Sequence, residues 1–174
     1  MNLSLAAQKI KVVILDVDGV MTNATIGYGT GSDHEIKFFS VRDGCGIQML
    51  RRAGLKVGIL TGRTSMANRR RAEELKLDFI RENCLQKLPF FLELLKDLAV
   101  TAEECLYIGD DLVDWPVMKR VGVSVAVADA APELKEVAML TTHANGGQGA
   151  IREVTEWLLK EQNKWKAALE FYEF

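Results

Sequence analysis

Cysteine is scarce in this sequence: Cys45, Cys84 and Cys105 are the only three in 174 residues, and no Cys-x-x-Cys pair occurs. An odd, scattered set excludes a disulfide framework and argues against a structural zinc site; reduced thiols fit the cytoplasm. Cys105 lies in an apolar run and reads as a core residue. Neither sign of charge is in excess, with 22 Lys and Arg against 24 Asp and Glu and a net charge of −2. That balance lacks the basic surface of a nucleic-acid binder. No apolar run approaches the roughly 18 residues of a membrane span. Met1 to Ile10 holds one lysine and no long apolar stretch, so it does not read as a signal peptide. Long linkers, repeats and low-complexity tracts are missing too. The length and the 48% hydrophobic content suit one domain, 1–174, with one core.

What is present is an alternation of strand and helix patterns. Lys11–Asp16, Lys56–Thr61, Cys105–Gly109 and Val123–Val127 are short apolar runs of the kind buried in a parallel sheet, and 78–80 reads as a shorter strand. Helical patterns fall at 46–53, 65–75, 88–98, 115–121, 133–137 and 150–160, with Pro116 at a plausible first turn. The expected class is therefore α/β, a Rossmann-like parallel sheet flanked by helices. One segment departs from the alternation. Between two β-prone arms, Gly29-Thr30-Gly31-Ser32-Asp33 looks like a turn, which predicts a β-hairpin flap at about 24–40, directly after the first strand. Ile26, Tyr28, Ile36 and Phe38 would then need a cover, which a partner subunit would supply. The tail, 161–174, is charged and aromatic and reads as a loose helix or a docking segment.

The chemistry-bearing residues sit where the apolar runs stop. The first ends in Asp16-Val17-Asp18-Gly19-Val20, the second in Thr61-Gly62-Arg63, and a later one in Gly109-Asp110-Asp111 with Asp114 close behind; Lys87 opens the helix before that strand. In a parallel α/β sheet, ligands bind at the carboxyl ends of strands, so these groups should converge. Two bare carboxylates about 4 Å apart repel by about 4 kcal/mol at an effective dielectric of 20. Asp16, Asp18, Asp110, Asp111 and Asp114 together need a cation or raised pKa values. Oxygen ligands with open positions favour Mg2+, which pairs with a substrate phosphate. Thr61, Lys87 and the backbone amides around Gly19 and Gly62 would hold the phosphoryl group.

The set resembles the haloacid dehalogenase superfamily of phosphohydrolases over nearly the whole chain. The resemblance rests on 16–20, on Val41-Arg42-Asp43-Gly44, on Gly109 through Met118, on Val125 through Ala130 and on Gly146 through Glu153. No large cap insertion separates the motifs, as in the capless branch, and the strings are similar to the phosphatases of 3-deoxy-D-manno-octulosonate 8-phosphate in lipopolysaccharide sugar synthesis. This resemblance implies that Asp16 is a nucleophile that becomes an aspartyl-phosphate, and that Asp18 protonates the leaving oxygen and then activates water. It implies that Asp16, the Asp18 carbonyl and Asp110 bind Mg2+, with Asp111 and Asp114 supporting the metal shell or orienting Lys87. Thr61 and Lys87 would grip the phosphoryl group. Asp18, Arg42, Asp43, Gly44, Gly62, Arg63, Arg71 and Lys87 would contact a small sugar acid phosphate, and the assembly would be a homotetramer in which the hairpin helps to cover a neighbour's site. The chain departs from the family pattern at Glu82-Asn83-Cys84-Leu85-Gln86, where Gln-Gly is usual before the lysine, and at Gln48 and Gln148, where basic residues are common.

Three other readings compete. A nine-carbon, sialic-acid-like 9-phosphate would use the same catalytic core. A phospho-receiver signalling domain also gathers aspartates, a threonine and a lysine, but its acceptor lies on a later strand than its acidic pair, whereas here the Asp-x-Asp pair closes the first strand. A silent assembly module would have no need of an intact set. His34 and His143 are read as surface and loop residues, and Trp115 as packing.

Overall fold

The structure, a computed structural model, describes residues 2–30 and 35–172. Strands β1 (Val12–Leu15), β4 (Lys56–Leu60), β6 (Cys105–Gly109) and β7 (Val123–Ala126) are buried almost end to end. This is the burial expected of parallel strands covered on both faces, and it is why their sequences are apolar without alternation. The hairpin strands β2 (Gly27–Tyr28) and β3 (Glu35–Ile36) come between β1 and the next helix. With β5 (Phe79–Arg81) and β8 (Leu140–Thr141), the main sheet has six strands in the order β5-β4-β1-β6-β7-β8. Every pairing in it is parallel.

The helices are α1 (Leu3–Lys9), α2 (Val41–Arg52), α3 (Met66–Glu74), α4 (Lys87–Leu98), α5 (Trp115–Met118), α6 (Pro132–Val137), α7 (Ala150–Glu161) and α8 (Trp165–Glu170). From β1 the chain first winds outward through α2 and α3 to β4 and β5. It then returns through α4 to β6 and winds the other way through α5 and α6. Right-handed crossovers place the first pair and the second group of helices on opposite faces. The direction of winding reverses between β1 and β6, the switch point at which such sheets bind ligands. No large cap interrupts this body.

The hairpin is antiparallel, with Gly27 opposite Ile36 and Tyr28 opposite Glu35. Its turn, 31–34, which includes Asp33 and His34, lies outside the described residues, as does Phe174 at the end of the tail. The arms expose Tyr28 (77%) and Phe38 (75%).

Several boundaries differ from the sequence expectation. Helix α2 begins five residues earlier than predicted, because Ser40 caps it by accepting a hydrogen bond from the Asp43 amide (3.2 Å). Arg42, Asp43 and Gly44 are therefore in its first turn. Helix α1 was not anticipated; Asn2 caps it through the amides of Ser4 and Leu5. Nor was the two-residue edge strand β8, too short to carry a pattern. The expected helix at 115–121 stops at Met118. Part of the tail is helix α8, and beyond it Phe171 stacks on the Arg52 guanidinium at 3.8 Å. Among the described residues, no helix is long and apolar enough to cross a membrane.

Candidate active site

Asp16 follows β1 directly and Asp110 follows β6, so the switch point brings the two carboxylates together. Asp16 is buried; its Oδ1 accepts from the Val17 amide (2.7 Å), and its Oδ2 faces the Lys87 ammonium at 2.9 Å. Lys87, the first residue of α4, is buried to the tip. Its Nζ also donates to Asp114 Oδ1 (2.6 Å) and to the Tyr107 hydroxyl (3.1 Å). All three ammonium protons are thus placed.

Asp114 is wholly buried and wholly committed. Oδ1 receives Lys87 and the Tyr107 hydroxyl (2.6 Å), and Oδ2 receives the amides of Asp110 (2.9 Å) and Asp111 (3.3 Å). It therefore orients both the lysine and the turn that carries Asp110. Asp111 points outward, and its carboxylate accepts from the Leu112 amide. Tyr107 was missed by sequence reasoning. Its only signal was a hydroxyl in an otherwise apolar buried strand, where such a group requires a partner.

One oxygen each from Asp16, Asp110 and Asp114 lie within 4.8 Å of one another. Burial first, and then the charges of Asp16 and Asp114, push the Asp110 carboxyl up to about 8. Burial likewise pushes Asp16 up to about 6, against the pull of Lys87. Carboxyls driven this far toward neutrality mark a site with more negative charge than its one lysine balances. A hard divalent cation with oxygen ligands fits that deficit. With both Asp114 oxygens engaged, Asp16 and Asp110 are the carboxylates with capacity to spare. Gly19, at φ +89°, brings the loop after β1 so near that a Cβ there would overlap the Asp110 carboxylate.

Thr61 follows β4 directly, buried, and its hydroxyl accepts from the Arg63 amide (3.4 Å). Gly62 has open space about it, with nothing nearer to a Cβ than 3.9 Å. At the mouth, Asp18 is partly exposed and meets Lys37 Nζ at 2.6 Å and Arg63 Nε at 4.0 Å. Arg63 also binds Glu35 at 2.8 Å. Burial raises the Glu35 carboxyl, but the hydrogen bond from Arg63 and the Lys37 ammonium at close range outweigh it and hold the group below its usual value. Lys37 went unnoticed in the sequence, and no motif supported a role for Glu35, since a hairpin arm gives no hint of which way its charged side chains turn.

The remaining expected contacts are more dispersed. Arg42 stands exposed on the first turn of α2. Asp43 commits its carboxylate to the start of α7, accepting from the amides of Gly149 (3.1 Å) and Arg152 (2.8 Å). Arg71 donates to the Ser40 carbonyl (3.0 Å) and pairs with Glu74. Gly44 makes room for Arg71, whose guanidinium a Cβ would overlap. A cavity of about 610 Å³ opens between the hairpin and α3, with Lys37, Phe39, Arg70 and Arg71 in its wall. A larger one, about 770 Å³, lies at the amino ends of the strands beside Lys11 and Glu104, and carries none of the catalytic candidates. His143 is exposed and bonded to Glu153.

Comparison with known proteins agrees with this geometry. Residues 77–154 match the haloacid dehalogenase-like hydrolase family. The chain is 44% identical to the 3-deoxy-D-manno-octulosonate 8-phosphate phosphatase KdsC of Salmonella typhi, over 91% of its own length and 84% of the relative's. The fold is similar to the Moraxella catarrhalis phosphatase of that name, solved in complex with magnesium, phosphate and KDO (TM-score 0.94, 35% identity, covering 98% of each chain). It is also similar to the cobalt-bound phosphatase YrbI of Haemophilus influenzae (TM-score 0.91, 39% identity, covering 97% of this chain and 99% of that one). A receiver domain or a silent assembly module is not what such likeness describes. With identity sustained across both chains and a doubly wound body in common, the protein belongs to the 3-deoxy-D-manno-octulosonate 8-phosphate phosphatase family of haloacid dehalogenase-like hydrolases.

Proposed function

We propose that this chain hydrolyses 3-deoxy-D-manno-octulosonate 8-phosphate to the free sugar acid and phosphate, with Asp16 as the covalent nucleophile. The observation that carries the reading is the buried Lys87 ammonium, held against Asp16 Oδ2 at 2.9 Å on one side and Asp114 on the other. A phosphoryl group arriving at Asp16 meets a fixed cation there, with no reorganisation needed as charge develops.

An Asp16 carboxylate oxygen attacks phosphorus, and the bond from phosphorus to the sugar oxygen breaks. Asp18 gives its proton to that departing oxygen. In the second half-reaction Asp18 draws a proton from water as the water attacks phosphorus, and the bond from phosphorus to Asp16 breaks, restoring the carboxylate. One residue thus serves as acid and then as base. Lys87 neutralises phosphoryl charge, and the Thr61 hydroxyl and the amides after β1 complete the grip. Mg2+, held by Asp16, Asp110 and the Asp18 carbonyl, supplies further charge neutralisation when bound. Asp114 orients Lys87, and Asp111 supports the turn from outside. Arg63 and Arg71, with Arg42 at the rim, suit a substrate anionic at both ends, because guanidinium binds carboxylate in bidentate fashion. The cavity between hairpin and α3 would accept the sugar acid end. Asp43 and Gly44 serve that pocket indirectly, through the seating of α7 and Arg71.

The exposed apolar side chains of the hairpin and the first turn of α2, Tyr28, Phe38 and Val41 (82%), support a homotetramer. Three free thiols are in keeping with the cytoplasm.

The test is phosphate release across a panel of sugar acid phosphates with magnesium present. The eight-carbon 8-phosphate should be the best substrate, and Asp16→Asn should abolish turnover while the protein stays folded. Faster release from a nine-carbon 9-phosphate would reassign the substrate. Undiminished release by Asp16→Asn would remove the nucleophile.

A further inference from the structure

A lysine that the mechanism leaves idle sits at the mouth of the site. Lys37 follows β3 on the hairpin, between Ile36 and Phe38, both exposed, yet its own side chain has 0% exposure. Its Nζ lies 2.6 Å from Asp18 Oδ1 and 3.2 Å from Glu35 Oε1. Glu35 Oε2 accepts from Arg63 at 2.8 Å, and Arg63 Nε returns to Asp18 Oδ2 at 4.0 Å. Four alternating charges close a ring. Its members come from the loop after β1, the hairpin and the loop after β4.

Burial of a long ammonium is costly unless it is paired, and surface hairpins normally leave lysine in water. Neither carboxylate meets Lys37 with the alignment of a hydrogen bond, so the contact is held by charge at close range. Asp18 is the one ring member that exchanges a proton in the proposed reaction. A short side chain on the rim has more than one staggered rotamer open to it, and a fixed cation selects among them. The stakes are high, since a misplacement of about 1 Å in a reacting group costs about 100-fold in rate.

We propose that Lys37, braced by Glu35, is a positioning residue that holds the Asp18 carboxyl where the sugar oxygen departs. The proposal rests on the acid–base role of Asp18 in the function proposed above. It makes seating of the hairpin a condition for proton delivery, because the hairpin carries the cation that aims Asp18.

A pair of substrates with different leaving groups separates this role from a structural one. Release of a sugar alkoxide needs a proton, whereas p-nitrophenolate departs without one. Magnesium-loaded wild type, Lys37→Met, Lys37→Arg and Asp18→Asn are assayed on 3-deoxy-D-manno-octulosonate 8-phosphate and on p-nitrophenyl phosphate by the rate of leaving-group release in the first turnover, because the second half-reaction is common to both substrates; thermal unfolding of each variant is recorded. Lys37→Met should lower the first-turnover release rate on the sugar phosphate at least tenfold more than on the aryl phosphate, with the sugar phosphate KM within threefold of wild type. Lys37→Arg should restore the ratio of the two release rates to within threefold. Equal losses on both substrates, or no loss, would overturn the proposal. So would a raised KM with kcat kept, which would make Lys37 a substrate contact instead. If Lys37→Met does not fold, the ratio for Lys37→Arg and for Glu35→Gln, which removes the brace, decides in its place: both at the wild-type value would refute the idea. Asp18→Asn reads the underlying assignment separately. Selective loss there without selective loss in Lys37→Met leaves Asp18 as acid and removes only Lys37; no selectivity in Asp18→Asn removes both.

Discussion

Stability of the metal-free protein should fall as pH rises from 5 to 8, the reverse of ordinary acid denaturation. The cause is the carboxylate cluster. Asp110 is pushed up to about 8 and Asp16 to about 6, from an ordinary 3.8. A carboxyl raised in the folded state binds its proton more tightly there than in the unfolded chain. Its contribution is complete below the unfolded value and is lost as pH climbs through the folded one. Each pH unit in the interval removes about 1.4 kcal/mol per proton. From pH 5 to 8, Asp16 would contribute about one unit and Asp110 about three, for a ceiling of about 5.5 kcal/mol. The two groups are neighbours, and a proton on one eases ionisation of the other, so about 2–5 kcal/mol is the expected loss. The carboxylates held below their usual value, Glu35 and Asp78 among them, act with opposite sign but below about pH 5, outside the window. The assay is urea unfolding at pH 5, 6, 7 and 8 in chelator, repeated with excess magnesium. Magnesium at 100 times its Kd should add about 2.7 kcal/mol and do so mainly at the alkaline end, where the carboxylates are charged. Flat or rising stability from pH 5 to 8 in chelator would refute the electrostatic argument, and with it the reason for assigning a cation to Asp16 and Asp110.

Two further substitutions separate catalytic from architectural roles. Tyr107→Phe leaves Asp114 Oδ1 with Lys87 as its one donor; a hydrogen bond to a charged group contributes about 1.5–3 kcal/mol, so kcat should drop about 10- to 150-fold with KM nearly unchanged. Unaltered kcat would show that Lys87 and Asp114 hold their places without the phenol. Asp43→Ala removes the acceptor for two amides at the start of α7 and should cost about 1–2 kcal/mol in urea unfolding. A large rise in KM with stability unchanged would instead make Asp43 a direct substrate contact.

Much of the site was legible because sheet geometry does the convergence. Asp16, Thr61 and Asp110 each close an apolar run, and runs paired in parallel place their ends side by side. The hairpin was legible from its glycine-rich turn. Harder cases had no periodic signal. Asp43 lies in a motif suggesting substrate contact, yet its oxygens serve α7, more than a hundred residues away in the chain. The start of α2 was misjudged because glycines at 44 and 46 weaken the local helical signal. Packing overrides that weakness: a Cβ at Gly46 would press on Thr155 at 2.9 Å, so glycine is what lets α2 approach α7.

By itself the sequence determined the α/β class, the identity of the acidic, hydroxyl and ammonium groups, and their position at strand ends. These follow from local apolar pattern and from the rule that parallel strands present their carboxyl ends to one rim. Only the tertiary structure decided how those groups are wired: Asp114 saturated by Lys87, Tyr107 and two amides, and Asp18 ringed by Lys37, Glu35 and Arg63. The direction of a side chain on a hairpin, and the partner of a hydroxyl inside a sheet, depend on how distant segments pack, and no window along the chain contains both halves of such a contact.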